Sequence, residues 1–133
     1  MKIFFLFFTL FCSSYFYAQS GVDQIIADLN NNLRMYNANP QLTKVFINRN
    51  ENILDILNYQ IPLEDVKVYY EVDERIFNGV KIVGNVSFKC EDSCIKENDY
   101  DFIKGVAFAF KSKDGAYKFI DLIYKLKKLL LIE

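Results

Sequence analysis

The sequence predicts an α+β fold, in which an antiparallel sheet of about five strands is covered by an N-terminal helix and a C-terminal amphipathic helix. Two observations carry this prediction. Residues 80–89 alternate apolar and polar side chains, which is the period of an antiparallel strand with one buried face. Near both ends of the predicted domain, apolar residues instead recur every three or four positions, as they do on the buried face of a helix.

Residues 1–20 are predicted to be a secretory signal peptide. Lys2 supplies a positive charge, residues 3–11 are almost entirely apolar, and small residues follow. This is the order of a signal peptide, and the apolar stretch is shorter than the roughly 20 residues that a membrane-spanning helix needs. Cleavage is expected after Ser20, with Ala18 as the alternative site.

The leader predicts that residues 21–133 form a single exported domain, either periplasmic or secreted. Cleavage removes Cys12, and lipidation of this residue is disfavoured because the large Phe11 precedes it. The two remaining cysteines, Cys90 and Cys94, are expected to form one disulfide, because exported proteins mature in an oxidising compartment. The full chain has a net charge of -1, which gives no reason to expect nucleic acid as a partner.

The first helix is predicted over residues 21–37. Asp23 lies near its start, where a negative charge suits the helix dipole, and the polar run that ends in Pro40 stops the helix. A single apolar stripe predicts that one face packs on the sheet. The stripe consists of Val22, Ile25, Ile26, Leu29, Leu33 and Tyr36.

Three strands are predicted after this helix. Residues 42–48 and 53–61 flank a polar turn. Residues 66–72 alternate apolar and polar side chains, so one face of this strand is expected to be exposed to solvent. The second of these segments also fits a short helix. A strand is favoured there because its apolar residues alternate and Pro62 closes the run.

The next connection, residues 73–79, is predicted to be a seven-residue loop. Asn78-Gly79 is a strong signal for a two-residue hairpin turn. That turn would set polar side chains opposite the apolar row of the next strand, because a slip of one residue turns every side chain over. The loop tip then holds Ile76 and Phe77, the candidate contact site for a partner. The alternatives are that both side chains fold back over the core, or that a bulge keeps the strand running.

Two further strands complete the predicted sheet. Residues 80–89 form its centre, and Gly84 in their middle marks either a bulge or a place where another backbone or a ligand comes close. The bulge is favoured, because a long strand usually needs a device for twisting. Residues 102–110 form the last strand, with an aromatic row on one face that includes Phe102.

Between these strands, Cys90 and Cys94 begin an acidic loop that extends to Asp101. The spacing predicts a local clamp at the strand end and differs from the Cys-x-x-Cys of a redox centre. Zinc would need further ligands, and the chain has no histidine. Neither a metal nor a cofactor is predicted, although calcium remains an alternative because the loop supplies oxygen ligands in an order unlike that of an EF-hand. These ligands are Glu91, Asp92, Glu97, Asp99 and Asp101.

The C-terminal helix is predicted to begin after Ser112, whose side chain can cap it, with Asp114 in the first turn. Its buried stripe consists of Ala116, Phe119, Ile120, Ile123, Leu126 and Leu130. Basic residues near the end of the helix suit its dipole, and a footprint on an anionic membrane is the alternative. The lysines that line the rest of the helix are Lys118, Lys125, Lys127 and Lys128.

Residues 61–63 (IPL) end a predicted strand, and residues 65–66 (DV), antiparallel strands and one closing amphipathic helix follow. In this order the chain resembles pleckstrin-homology or GRAM-type domains. With its signal peptide and residues 88–95, it also resembles small exported bacterial proteins of unassigned function. It departs from the pleckstrin pattern in having five strands instead of seven, in its N-terminal helix and in lacking a basic phosphoinositide-binding loop, so the resemblance does not imply binding of lipid headgroups. A cystatin-like fold is the rival architecture.

The sequence contains no recognisable catalytic set. Without histidine it has no Ser-His or Cys-His pair, and it has no Gly-rich phosphate cradle. The leading hypothesis is a non-catalytic exported module that binds another protein or an envelope component through a sheet edge or residues 73–79. The alternatives are peripheral membrane association through Lys125, Lys127 and Lys128, and a small exported enzyme.

Overall fold

The structure is a computed structural model, and it describes residues 21–131. The predicted signal peptide, with its cleavage sites and Cys12, lies outside these residues. Within them the chain has an α+β fold with two antiparallel sheets, the larger of five strands, and with an N-terminal and a C-terminal helix. The predicted fold class is therefore confirmed.

The helices and strands follow one another through short connections. Helix α1 occupies residues 21–36, and helix α2 occupies Lys113–Leu130. The strands between them are β1 (Val45–Asn48), β2 (Ile53–Ile56), β3 (Tyr59–Pro62), β4 (Lys67–Phe77), β5 (Val80–Lys89), β6 (Ile95–Glu97), β7 (Asp101–Ile103) and β8 (Gly105–Phe110).

The two sheets share one hydrophobic core. The larger sheet has the strand order β1-β2-β3-β6-β7, and the smaller has the order β4-β5-β8. Leu54 of the larger sheet and Phe88 of the smaller belong to the same buried cluster as Leu29 of α1 and Phe119 of α2. Because burial of apolar surface is the main favourable contribution to folding, both sheets and both helices depend on this one core.

The β4–β5 hairpin closes through a two-residue turn. Phe77 pairs with Val80, and Asn78 and Gly79 both have positive φ angles, of 50° and 76°. A type I′ turn requires this backbone, which asparagine and glycine adopt most readily. The seven-residue loop predicted over residues 73–79 is therefore wrong.

A bulge in β4 makes this turn compatible with the apolar rows of the hairpin. The register shifts between Val72, which pairs with Gly84, and Arg75, which pairs with Ile82. One additional residue on β4 turns the chain over once, so Val68 and Tyr70 fall opposite Phe88 and Val86, and Arg75 is the only polar residue that still lies opposite a residue of the apolar row. Of the alternatives that the sequence leaves open for this connection, the bulge is the one that the structure contains.

Gly84 lies under the side chain of Tyr70. It pairs with Val72 on one side and with Phe110 on the other, so the bulge expected at this glycine lies instead on β4. A Cβ atom at position 84 would lie 2.2 Å from the hydroxyl oxygen of Tyr70, which donates a hydrogen bond to the carbonyl oxygen of Val83. Glycine is needed here because an aromatic side chain crosses the strand.

Two of the predicted strands are each divided in two. Residues 53–61 form the β2–β3 hairpin instead of one strand or a short helix, because the chain turns at Leu57. Residues 102–110 are divided at Lys104, so that β7 joins the larger sheet and β8 the smaller. Phe102, which was expected on a buried aromatic row, is exposed.

Helix α2 begins where its sequence predicts. The Ser112 Oγ accepts a hydrogen bond from the backbone N–H of Gly115 at 3.0 Å, which satisfies one of the free N–H groups of the first turn. The helix packs on the smaller sheet. Ile120 and Leu130, which were predicted to be buried, are partly buried. The fully buried residues are Gly115, Ala116, Phe119, Leu122, Ile123 and Leu126.

Two side chains of α2 bond the outer edge of the smaller sheet. Its edge strand on this side is β4. The hydroxyl of Tyr124 donates to the carbonyl oxygen of Val68 at 2.7 Å, and the Nζ of Lys127 donates to the carbonyl oxygen of Val66 at 2.9 Å. The helix therefore supplies hydrogen-bond donors to a carbonyl of β4 and to one just before it.

The end of α1 lies directly against the start of α2. The Nδ2 of Asn32 donates to the carbonyl oxygen of Gly115 at 2.9 Å, and the backbone N–H of Lys111 donates to the carbonyl oxygen of Tyr36 at 2.9 Å. A Cβ atom at position 115 would lie only 2.3 Å from the Cγ of Tyr36. The contact therefore leaves no room for a side chain at Gly115.

Candidate functional site

The two candidate contact residues lie at the tip of the β4–β5 hairpin. Ile76 is 77% exposed and Phe77 is 57% exposed. As neighbours in a strand they point to opposite faces of the hairpin. The Phe77 ring centre lies 5.8 Å from the guanidinium carbon of Arg75. The hairpin tip, which we define as Arg75 to Val80, therefore presents apolar side chains on both faces.

A cleft of about 600 Å³ lies beside Phe77. Four parts of the chain form it: residues 37–42 after α1, the β2–β3 turn, the hairpin tip and β8. Phe77 belongs to its lining together with two other aromatic residues, Tyr59 and Phe108, whereas Ile76 does not. This volume is within the range of about 300–1,000 Å³ that is typical of ligand-binding clefts.

A second cleft of about 370 Å³ adjoins the first. The two share residues 37–40 together with Leu42 and Val80, so that the segment after α1 is a wall common to both. Arg34 of α1 and Lys111, which lies between β8 and α2, border the smaller cleft. Both of these cationic side chains are exposed.

The common wall is held in place by Asn37, which is buried. Its Nδ2 donates to the carbonyl oxygen of Leu42 at 2.9 Å, and its Oδ1 accepts from the backbone N–H of Asn39 at 3.2 Å. The N–H of Ala38 donates to the carbonyl oxygen of Ala109 in β8 at 2.9 Å. A buried amide with its hydrogen bonds made fixes the local backbone. The sequence alone predicts only that this segment ends helix α1.

Tyr59 gives the larger cleft a neutral hydrogen-bonding group. Burial, followed by the negative charge of Glu97, raises the pKa of its phenol above the usual value. Both effects disfavour the phenolate, so this phenol is less acidic than that of a free tyrosine, which is itself protonated at physiological pH. The ring packs edge-on against Phe108, with the ring centres 6.0 Å apart, so its position in the cleft is fixed by the core.

The structure brings Cys90 and Cys94 together, as the sequence predicts. Their Cα atoms are 6.0 Å apart and the two Sγ atoms lie at bonding distance. The N–H of Cys90 donates to the carbonyl oxygen of Lys104 at 2.7 Å. The acidic segment that follows is more regular than a loop, because it contains β6 and reaches β7. The pair therefore closes a short turn between the end of β5 and the larger sheet.

Replacing both cysteines with serine is expected to lower the free energy of unfolding by about 2 kcal/mol, as the small size of the closed loop implies in the chain-entropy model. Urea unfolding of the oxidised protein and of the Cys90→Ser/Cys94→Ser variant measures the difference. The reduced wild-type protein is the matched control and should unfold like the variant. Equal stability of the oxidised and reduced forms would contradict the expectation.

Two of the three lysines near the end of α2 are engaged within the protein. The Nζ of Lys127 donates to a backbone carbonyl, as described above, and burial lowers the pKa of this lysine. The Nζ of Lys125 lies 3.2 Å from the carboxylate of Asp121, one helical turn earlier. Lys128 is exposed. Two of the three lysines thus already bind other groups of the same protein.

Neither a cluster of metal-ligating side chains nor a membrane-spanning helix occurs within residues 21–131. No three histidine, cysteine, aspartate or glutamate side chains of this range come together as a metal site would require. The acidic segment that was considered for calcium lies within it. Nor does any helix in this described part of the chain combine the length and the apolar character needed to span a bilayer.

No protein-family model matches the chain, and neither the curated proteins nor the solved structures contain a significant match. The resemblance to pleckstrin-homology or GRAM-type domains, and to small exported bacterial proteins, therefore stays a prediction.

Proposed function

We propose that the protein is a non-catalytic exported binding module, which acts in the cell envelope or outside the cell and contacts a protein partner through the tip of the β4–β5 hairpin. The observation that carries this proposal is the exposure of two bulky apolar side chains, Ile76 and Phe77, at that tip. Exposed bulky apolar side chains can mark a contact surface, and Phe77 also lines the larger cleft.

The geometry of the hairpin supports this function. β4 has 11 residues and β5 has 10, and a two-residue turn joins them. A turn of this kind fixes the register, so the backbone of Ile76 and Phe77 is already paired with β5 before a partner binds. Preorganisation of this kind reduces the entropy lost on binding.

The alternative is a peripheral membrane role for Lys125, Lys127 and Lys128. The contacts of Lys127 with Val66 and of Lys125 with Asp121 favour a structural role for two of the three. No observation on the structure favours the membrane role over the hairpin tip. If the alternative were right, replacing the three lysines would release the protein from anionic vesicles.

The proposal is tested with the Ile76→Ser/Phe77→Ser variant. The partner is crosslinked to the wild-type protein in the native host and identified by mass spectrometry, and its recovery with the variant is then compared. We expect recovery to be lost, because truncation of the aromatic and aliphatic anchors removes the largest contribution to an interface. The same experiment reports whether Cys90 and Cys94 are joined.

A matched control is Phe46→Ser, because Phe46 is also an exposed aromatic residue, 63% exposed, but lies on β1 of the other sheet. Recovery of the partner should be unchanged in this variant. Exposed substitutions usually alter stability by no more than about 0.5 kcal/mol, so urea unfolding should show all variants to be folded. Undiminished recovery with the Ile76→Ser/Phe77→Ser variant would refute the proposal.

A further inference from the structure

We propose that the two adjoining clefts bind an acidic segment of the protein partner, with an apolar side chain in the larger cleft and carboxylates at the cationic border. This inference deepens the proposed function and rests on it, since it names the chemistry of the segment that the hairpin tip contacts. The clefts supply three observations: their lining, their charge and their continuity with the tip.

The larger cleft is suited to an apolar side chain. Its lining includes the rings of Tyr59, Phe77 and Phe108 and the aliphatic side chains of Leu57 and Ile82. Apolar walls of this kind release water when an aromatic or aliphatic group enters. The Tyr59 hydroxyl and the amides of the common wall add hydrogen-bonding groups without charge, so this cleft does not by itself select for an anion.

The charged side chains that line the two clefts among the described residues are cations, and Glu97, which acts on Tyr59, does not belong to the lining. The lining of the clefts within residues 21–131 includes Arg34, Arg75 and Lys111 and not a single aspartate or glutamate. The chain as a whole has a net charge of -1, so this distribution is local and not a consequence of composition. Arg34 and Lys111 form no ion pair with any other described residue. Carboxylates are the groups that complement them.

Arg75 is the third cation, and only part of its guanidinium is occupied. Its Nε donates to the Oδ2 of Asp73 at 2.8 Å, and the same carboxylate oxygen accepts from the Nδ2 of Asn85 at 3.2 Å. Asp73 does not belong to the lining of either cleft. Because a guanidinium has five N–H donors, Arg75 retains donors for a carboxylate of the partner while Asp73 holds it in position.

The position of the three cations favours a peptide segment over a small anion. Arg75 lies at the hairpin tip, whereas Arg34 and Lys111 lie beyond the common wall, at the second cleft. Phe77 belongs both to the tip and to the larger cleft. A ligand that contacts Phe77 and also reaches Arg34 and Lys111 must extend across the common wall from one cleft to the other. A peptide segment with acidic residues on both sides of one apolar residue is long enough to do so.

The test begins with a random peptide library displayed on phage and selected against the folded, oxidised protein. We expect the enriched peptides to be acidic and to place an aromatic or aliphatic residue beside the acidic positions. A synthetic copy of the most enriched peptide is then titrated by fluorescence anisotropy. Arg34→Gln/Lys111→Gln is expected to raise its dissociation constant more than about tenfold, because charge-assisted hydrogen bonds are the stronger class.

The matched control is Lys118→Gln/Lys128→Gln. It removes the same charge from exposed positions of α2 that lie outside both clefts. Its effect on the dissociation constant is expected to stay within about twofold, since distant exposed charges are screened by salt. All four positions are exposed, so each variant should keep the unfolding midpoint of the wild-type protein in urea.

Several results would overturn the inference. Enrichment of neutral or basic peptides, or no enrichment, would do so, as would equal weakening by both double variants. Dodecanoate, which combines an apolar chain with one carboxylate, tests for a small ligand. If it binds and no peptides are enriched, the clefts bind a small amphiphile and the inference is wrong. If Ile76→Ser/Phe77→Ser abolishes recovery of the partner while the library gives no acidic peptide, the proposed function stands and only this inference falls. If that variant recovers the partner undiminished, the proposed function fails by itself.

Discussion

Replacing Phe88 with alanine is expected to lower the free energy of unfolding by about 3–5 kcal/mol, the range for truncation of a buried aromatic residue. Phe88 is fully buried on the central strand of the smaller sheet. It pairs with Val68 on one side and with Val106 on the other, and its ring centre lies 5.9 Å from that of Phe108 in an edge-on contact. Because these neighbours belong to the two strands that flank β5, they cannot all move to fill the cavity.

Equilibrium urea unfolding, followed by circular dichroism, measures this loss. Typical domains are stable by only about 5–15 kcal/mol, so the unfolding midpoint of Phe88→Ala should fall sharply. Phe102→Ala is the matched control, because Phe102 is 59% exposed on β7 and its truncation should change the free energy of unfolding by no more than about 0.5 kcal/mol. Equal losses in the two variants would contradict the assignment of Phe88 to the core.

The second large effect is expected for Gly115→Ala, which should lower the free energy of unfolding by about 2–3 kcal/mol. Helix propensity alone predicts the opposite sign, since alanine is more favourable than glycine in a helix by about 1 kcal/mol. The added Cβ would, however, lie 2.3 Å from the Cγ and 2.5 Å from the Cβ of Tyr36. These atoms are close to the backbone of α1, so the helices must separate, and overpacking of this kind costs about 1–3 kcal/mol or more.

A double-mutant cycle with Tyr36→Gly separates these two contributions. Removing the Tyr36 side chain takes away the atoms that an alanine at position 115 would meet. In that background Gly115→Ala should be neutral or stabilising, because helix propensity then decides the sign. Urea unfolding of the four proteins gives the coupling energy. The same loss in both backgrounds would show that Tyr36 is not the cause.

The parts of the fold that the sequence predicts are those specified by local pattern. Helix α2 follows from the cap at Ser112 and from a single apolar stripe. Strand β5 follows from alternation over residues 80–89 that only Val83 and Gly84 interrupt, and its bounds agree with the prediction. In both cases every residue that determines the element lies within a few positions of it, so one segment of sequence is sufficient.

The errors arise where one residue changes the path of the chain. Leu57 turns the β2–β3 hairpin with a φ angle of 54°, a conformation that leucine seldom adopts, so no turn signal marks it. At Asn78-Gly79 the turn signal was present, but the bulge between Val72 and Arg75 that reconciles it with the apolar rows has no signature of its own. Without the extra residue of this bulge, the turn at Asn78-Gly79 would bring polar side chains opposite the apolar row, and for this reason the sequence favours a longer loop.

The candidate site was predictable only in part. The exposed pair Ile76 and Phe77 could be named from the sequence as a contact site, and this assignment stays a prediction. The two clefts could not be foreseen, because residues 37–42, the β2–β3 turn, the hairpin tip and β8 are far apart in the chain. Arg34 and Lys111 are also far apart in the chain. They border the same cleft only because the segment after α1 pairs with β8.

The bonds from Tyr124 and Lys127 to the outer edge of β4 also bear on how molecules of this protein avoid one another. An uncovered strand edge is a template on which a second chain can add a strand, and growth of this kind leads to aggregates. Here the carbonyl oxygens of Val66 and Val68 are already occupied by side chains of the same molecule. The C-terminal helix thus covers the start of this edge, and we expect loss of the two hydrogen bonds to make pairing with a second chain easier.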